Sequence, residues 1–467
     1  NIFYDGNLKR ISATLYQKYG DICEFRLGGY RRILLSRTDY FEDLLNPSTK
    51  NAMLFAKHEY TYAWDDLGTF QRGVFFNNNY ETWKINRYLF SQSISTPGFN
   101  NEFIKHINKS FEELDGYWNS LRKSRLSGND QLEMDFLLWI NRFTSDIISV
   151  LVTGEQAYSM ASYYNTFDSI EDSLFDKSKL QHSDKFINAI ITHIRGTIFF
   201  VHVYPFLRRY VPLIKDKANS LLENRDFIFK TLDDIIEKRK IELAKTPQEL
   251  LSRHDILTFL LSVNNDAKDK IADEEIRSIL LDVFLDLVFP SDTSYVTADI
   301  IAKLKYCEAI IKETARIMPI TSVSKRVAVA ECEVAGYTWP ARTMFHLNYA
   351  SIHMNEKYWA NPNVYNPDRF YLKNNLDEFE NDLRTFDNED QKFSHNMNRY
   401  SLVIFGGGVR ICPGRRLAMI NMLSFMALMF KKYDVELANM QAPLNTYTKF
   451  ITTCLGLKIK IKPRKPL

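Results

Sequence analysis

The ten-residue segment Phe405-Gly406-Gly407-Gly408-Val409-Arg410-Ile411-Cys412-Pro413-Gly414 constrains this 467-residue chain more than any other. Three consecutive glycines let backbone pass against something flat at distances that a side chain would forbid. Cys412 stands at the mouth of a helix expected to run from near Pro413 to about Tyr433. Proline suits a first helical turn, where its missing N–H leaves nothing unsatisfied. The partial positive charge of a helix N-terminus and Arg410, two residues away, both favour thiolate over thiol. A metal is the strongest reason for a permanent thiolate in a glycine-lined loop. No second Cys or His lies at zinc spacing. One axial thiolate on an iron held by a macrocycle therefore fits the loop better than a zinc site.

Composition narrows the rest. With 45% hydrophobic and 25% charged residues, the chain is neither disordered nor a disulfide scaffold. A net charge of +3, from 60 basic and 57 acidic residues, offers no bulk attraction for nucleic acid. Thirty-three Phe against 17 Gly suits a helix-rich protein with a large apolar interior. The five cysteines (Cys23, Cys307, Cys332, Cys412, Cys454) form no CxxC pair and read as reduced thiols. No stretch of 18 apolar residues occurs, and no signal-peptide pattern. The chain starts at Asn1 without methionine, so the expectation is that an N-terminal segment has been removed.

Apolar spacing predicts a helix over Leu8–Tyr19, strands over Ile22–Leu27 and Arg32–Leu35, and a helix from Thr38 to Leu45. Asn77-Asn78-Asn79 reads as a loop and N-cap for a helix to about Ile94, broken by Pro97-Gly98. Helical patterning dominates from Asn100 to about Lys245, including a charged amphipathic run over Asn224–Lys240. Asp273-Glu274-Glu275 opens a helix that is apolar on nearly every face, which belongs in the centre of a large protein. Pro290 interrupts it, a distortion that needs a cause. A helix over Ile300–Met318 stops at Pro319, with short strands around Ser324–Val329 and Glu333–Tyr337. The alternating Leu457–Lys462 segment reads as an edge strand.

The pattern F-x-x-G-x-R-x-C-x-G, filled by Phe405, Gly408, Arg410, Cys412 and Gly414, resembles the haem-ligand loop of the cytochrome P450 family. The resemblance runs from about Gly6 to the C-terminus. It implies a mainly α fold, a helical domain with a small β-rich subdomain and haem between two central helices, as one catalytic domain over 1–467. In that reading Cys412 is the iron ligand, and Phe405, Gly406 and Arg410 line the cofactor. Glu313-x-x-Arg316, two positions on one helix face, and Arg369 in Pro367-Asp-Arg-Phe370 resemble the family's structural triad. Trp83 and Arg87, one helical turn apart, resemble positions that reach a haem propionate, though Trp83 alone could be core packing. Arg410, Arg87 and Arg326 would neutralise the propionates through charge-assisted bonds. His353 falls in a packed stretch, Ser351-Ile-His353, and is expected to be a packed histidine rather than an iron ligand.

The central helix departs from the family pattern. Phe289-Pro290 replaces the usual small residues, while the acid–alcohol pair Asp292-Thr293 is kept. The resemblance implies that Thr293 and Asp292 deliver protons during oxygen activation; the plainer reading is a polar break in a buried helix. Only nineteen residues separate Thr293 from Glu313, several helical turns fewer than the family carries. A segment is therefore expected to be missing near Thr297-Ala298, either a true deletion or residues omitted from this sequence. Expected pocket walls are Phe75, Phe76, Val288, Phe289, Ile320 to Val323, Ile451 and Thr452, each of which could equally be ordinary core.

The function implied is a haem-thiolate monooxygenase that inserts one atom of O2 into a small apolar organic substrate. The resemblance implies haem b as cofactor and NADPH acting only through a separate cytochrome P450 reductase. The site would face the cytosol at the endoplasmic reticulum membrane. The apolar Phe199–Ile214 stretch would touch the membrane surface or pack in the core. Two other readings stay open: an O2-independent isomerase, dehydratase or peroxygenase, and a haem-binding protein without turnover.

Overall fold

The computed structural model describes residues 7–27, 30–46, 54, 62–75, 77–125, 131–167, 177–246, 254–266, 271–287, 298–371, 400–442, 444, 446–448 and 451–464. They fall into two compact units. One comprises 1–60, 302–416 and 445–455, and the other 61–301, 417–444 and 456–467.

In the first unit Asn7 caps the Leu8–Tyr19 helix by accepting the Arg10 N–H, and Gly20, at φ +85°, ends it. Its buried stripe, Leu8, Ile11 and Leu15, follows helical spacing. Strands Ile22–Leu27 and Tyr30–Leu35 pair antiparallel, Ile22 opposite Leu35. Met344–Leu347 adds in parallel to the second strand, and Ser324–Val327 closes the four-stranded sheet antiparallel. Ile33, Leu35, Phe345 and Leu347 are essentially unexposed against Phe41, Leu44 and Leu45 of the Thr38–Leu45 helix. The helix expected over Ile300–Met318 is two, Ala298–Lys303 and Lys305–Ile317, parted at Leu304 with ψ 46°. Apolar spacing carries no signal for a single non-helical dihedral.

The second unit is helical. Its core joins Phe111, Trp118, Trp139, Phe143, Ile147, Leu232, Leu257, Leu260 and Phe425. Ile276, Ile279, Leu280, Leu281, Val283 and Phe284 of the Asp273–Leu287 helix are all buried, as an all-round apolar helix requires. Pro97 does not simply stop the Tyr80–Ser95 helix; it opens the next one, Pro97–Arg125, because its missing N–H is harmless at that position. The C-terminal strand Lys458–Pro463 is not an edge. It lies between Leu132–Asp135 and Tyr433–Leu437, paired on both sides. Alternation reports which face is buried, here Ile459 and Ile461, and says nothing about neighbours. The apolar Phe199–Ile214 stretch divides among the Lys177–His202, Pro205–Tyr210 and Pro212–Lys245 helices. Phe200 is buried there, while Tyr204, Phe206, Tyr210 and Leu213 are exposed. None of the five cysteines is in a disulfide.

Candidate functional site

The cysteine loop is closed by its own backbone: the Cys412 N–H donates to the Phe405 carbonyl at 2.9 Å and the Ile411 N–H to the Gly408 carbonyl at 3.1 Å. The glycines have different tasks. Gly408 sits at φ +69°, and a Cβ there would lie 2.9 Å from the Leu45 carbonyl oxygen. At Gly407 a Cβ would lie 3.2 Å from the Leu45 Cβ. These two let the loop lie flush on the end of the Thr38–Leu45 helix. Gly406, at φ +80°, is different: a Cβ there would meet nothing within 4 Å. Its backbone borders open room, as a flat ligand needs. The following helix begins at Arg415 rather than near Pro413, so Pro413-Gly414 is a turn and Cys412, half-buried, precedes the helix by three residues.

Arg326, on the Ser324–Val327 strand, is buried at 3% exposure. It donates to the Gly407 carbonyl at 3.1 Å and the Lys325 carbonyl at 2.9 Å. No carboxylate among the described residues pairs with it, and burial pushes its pKa below the usual guanidinium value. Arg410 is also buried, at 8% exposure. A buried cation without a counter-charge costs several kcal/mol, so Arg326 suits an anionic group at this loop. A thiol, open room at Gly406 and two buried arginines suit a flat, anionic, iron-bearing macrocycle. Among the described residues no cluster of three or more His, Cys, Asp or Glu could hold a metal by itself.

The same unit brings Glu313, Arg316 and Arg369 together. Glu313 and Arg316 are wholly buried and form a bidentate pair at 2.7 and 2.8 Å. Arg369 Nε donates to Glu313 at 3.2 Å, and so does the Asn366 N–H at 2.8 Å. Burial pushes the Glu313 carboxyl up, but the hydrogen bonds from Arg316, Asn366 and Arg369 outweigh it and hold the group below the usual carboxylate range. Arg316 also donates to the His353 carbonyl at 2.8 Å. His353 is fully buried, and its Nε2 accepts the Val403 N–H at 3.0 Å. Burial, then the Arg316 charge, pushes its pKa down to about 3. It is a packed neutral histidine. The Thr452 N–H donates to the Ile320 carbonyl at 2.7 Å and the Thr452 hydroxyl to the Pro319 carbonyl at 2.7 Å. This joins the 451–452 strand end to Ile320, which is 47% exposed, on the segment leading to buried Val323.

Trp83 and Arg87 lie in the other unit, on the Tyr80–Ser95 helix that Asn79 caps. Trp83 is buried and its Nε1–H donates to the Val74 carbonyl at 3.0 Å. The indole's single N–H, expected to face a propionate, holds the Val74 loop in the structure. The Arg87 guanidinium stands 5.8 Å from the Trp83 ring. Phe75 is half-buried at the end of that loop. Phe76, Val288, Phe289, Asp292 and Thr293 lie outside the described residues. Sequence reading missed Asp282, whose carboxylate accepts the Val74 and Phe75 N–H groups. The signal was present: Glu275, Ser278 and Asp282 are spaced by three and four, a polar stripe on an apolar helix.

The cytochrome P450 family model matches residues 2–288 and 285–463, nearly the whole chain. This chain is a cytochrome P450. It is 24% identical to (S)-1-hydroxy-N-methylcanadine 13-hydroxylase of Papaver somniferum, over 99% of this chain and 86% of that protein. Identity to melianol synthase of Citrus sinensis is 22%, over 93% of this chain and 82% of that protein. A flavonoid 3',5'-hydroxylase of Eustoma exaltatum subsp. russellianum is 32% identical over 39% of this chain and 34% of its own length. The helix-dominated fold with small sheets is that of cytochromes P450. The protein is a haem-thiolate monooxygenase, an oxidoreductase that needs haem, O2, an organic substrate and an electron donor.

Proposed function

We propose that this cytochrome P450 binds haem b through the Cys412 thiolate and oxidises a small apolar substrate with electrons that a reductase draws from NADPH. When bound, the haem supplies the oxygen chemistry, and the thiolate supplies electron density that favours O–O cleavage. The chain's own residues supply the rest. Phe405 and the room at Gly406 flank the cofactor, Arg326 and Arg410 meet its propionates, and Arg87 adds a third cation. Glu313, Arg316 and Arg369 hold the surrounding backbone and touch no reacting atom. Asp292 and Thr293 carry protons to the reacting oxygen. Phe75, Phe76, Val288, Phe289, Ile320, Val323, Ile451 and Thr452 exclude water around the substrate.

The observation that carries this reading is the closed loop of Cys412, whose Gly407 carbonyl accepts from a buried arginine, Arg326, that has only carbonyls for partners among the described residues. Its test is the reduced carbon-monoxide spectrum. Wild-type protein is expected to show the red-shifted Soret band of thiolate ligation and Cys412→Ala to lose it; an unchanged spectrum in the variant overturns the assignment.

We read residues 1–467 as one catalytic domain with a segment missing near 297–298. Two findings support this. The family match divides at 285–288. An alignment of 514 positions with the Papaver relative cannot be filled by a 467-residue chain. We place it at the endoplasmic reticulum membrane, facing the cytosol; contact with a membrane surface is supported by the exposed Tyr204, Phe206, Tyr210 and Leu213 beside Arg209 and Lys215. Flotation with liposomes should fall for Phe206→Asp, and equal flotation counts against the idea.

A further inference from the structure

The Gly73-Val74-Phe75 segment has side chains of two helices on its backbone polar groups. From the Asp273–Leu287 helix, Glu275 accepts the Gly73 N–H at 3.2 Å, and one oxygen of Asp282 accepts both the Val74 N–H at 2.6 Å and the Phe75 N–H at 2.9 Å. From the Tyr80–Ser95 helix, Asn86 donates to the Gly73 carbonyl at 3.1 Å and Trp83 to the Val74 carbonyl at 3.0 Å. Asn86 also donates to Glu275 at 2.6 Å, tying the two clamps together. Gly73 is at φ +72°, and a Cβ on it would collide with the Asp282 carboxylate and lie 3.1 Å from the Ser278 carbonyl. Only glycine lets this backbone come so close.

Asp282 is 8% exposed and shares a polar stripe with buried Ser278 on a helix that is otherwise apolar inward. A buried carboxylate is costly unless hydrogen-bonded, and these two backbone N–H groups donate to it. Bonds from N–H groups to a carboxylate are short and strong. They fix the direction in which residue 75 leaves the loop.

We propose that Asp282 is a positioning residue that sets substrate specificity: its carboxylate locks the 73–75 backbone, so that Phe75 forms a rigid wall of the substrate space. This rests on the proposed function, which makes Phe75 a wall of that space. The step from helix to loop stands on the hydrogen bonds alone. Gly73 is its counterpart, required because any side chain would push the loop off the carboxylate.

The test uses the haem-loaded full chain. Backbone hydrogen exchange at Val74 and Phe75 should quicken about tenfold or more in Asp282→Ala, with Phe136–Thr153 peptides unchanged. Asp282→Asn, which keeps one acceptor oxygen, should recover part of the protection. Gly73→Ala should loosen the same two amides from the other side, with helical circular dichroism intact, and so serves if Asp282→Ala folds poorly. Affinity for 4-phenylimidazole, read by absorbance, should fall about tenfold in Asp282→Ala and in Phe75→Ala, and no further in the double variant. Imidazole itself should bind all of them alike. Unchanged exchange in both Asp282→Ala and Gly73→Ala overturns the clamp. Faster exchange with unaltered 4-phenylimidazole affinity, where Phe75→Ala does alter it, overturns the positioning role. If Phe75→Ala leaves that affinity unaltered, the pocket reading fails, and the specificity role of Asp282 fails with it, while the exchange result still judges the clamp.

Discussion

Replacing Arg326 with leucine should affect the haem-free and haem-loaded proteins differently. The Arg326 guanidinium is buried with two carbonyl acceptors, Gly407 and Lys325, and no carboxylate among the described residues. Removing it relieves a desolvation cost of several kcal/mol. It also removes two bonds from a charged donor, worth about 1.5–3 kcal/mol each. The two effects nearly cancel, so unfolding free energy should change by less than about 2 kcal/mol. With haem bound, the same change strips a buried propionate of its cation, which costs about 3–5 kcal/mol. The difference between the two forms is then about 3 kcal/mol, or about 100-fold in haem retention. Urea unfolding followed by circular dichroism measures the first quantity. Transfer of haem to excess apomyoglobin measures the second. Equal destabilisation of both forms would refute the reasoning and leave Arg326 as a staple for the Gly407 carbonyl.

Glu313→Gln should destabilise by about 3–5 kcal/mol at neutral pH, because it leaves Arg316 buried and half-paired; a smaller loss in urea unfolding would mean that the His353 and Val364 carbonyls suffice for Arg316. The Glu313 pKa is depressed on folding, so this contribution holds above the ordinary carboxylate range and fades only as pH drops through the lower folded value. Gly408→Ala should cost about 2–4 kcal/mol in both forms, since it adds strain at φ +69° to a contact with the Leu45 carbonyl. Gly406→Ala meets no neighbour and should cost about 1–2 kcal/mol in the haem-free form. It should impair haem uptake, a contrast that parallel unfolding and titration experiments would check. His353 has its pKa pushed down to about 3, so the unfolded chain takes up its proton first and stability falls as pH drops below about 6.5. His353→Gln keeps an acceptor for the Val403 N–H and should lose about 2 kcal/mol less between pH 7.5 and pH 5; identical pH slopes would contradict the assignment.

Local features were legible. The Leu8–Tyr19 helix ends at Gly20 and the Thr38–Leu45 helix runs over the bounds the sequence predicts, and the Glu313–Arg316 spacing foretells a shared helix face. The structure joins this pair to Arg369, as the resemblance implied. What escaped the sequence depends on partners. Lys458–Pro463 alternates like an edge strand yet is paired on both sides. Trp83 could be seen as buried, but not that its N–H would serve Val74. Asp282 was hidden because an acid on an apolar helix has no meaning until the loop it grips, 208 residues away in sequence, is known.

The parallel pairing of Tyr30–Leu35 with Met344–Leu347 bears on biosynthesis. Arg32 and His346, hydrogen-bonded in the finished sheet, are 314 residues apart. At about 5–20 residues per second, roughly 15–60 s pass on the ribosome between them. For that interval the Tyr30–Leu35 strand lacks its Met344–Leu347 partner and presents an unpaired edge. Residues 61–301 form an unbroken stretch of the other unit, with mostly local helical contacts that form quickly. The thiol-bearing unit takes in residues 445–455 and the other unit residues 456–467, so neither is complete until the C-terminal segments have been made, and cofactor capture follows synthesis of nearly the whole chain.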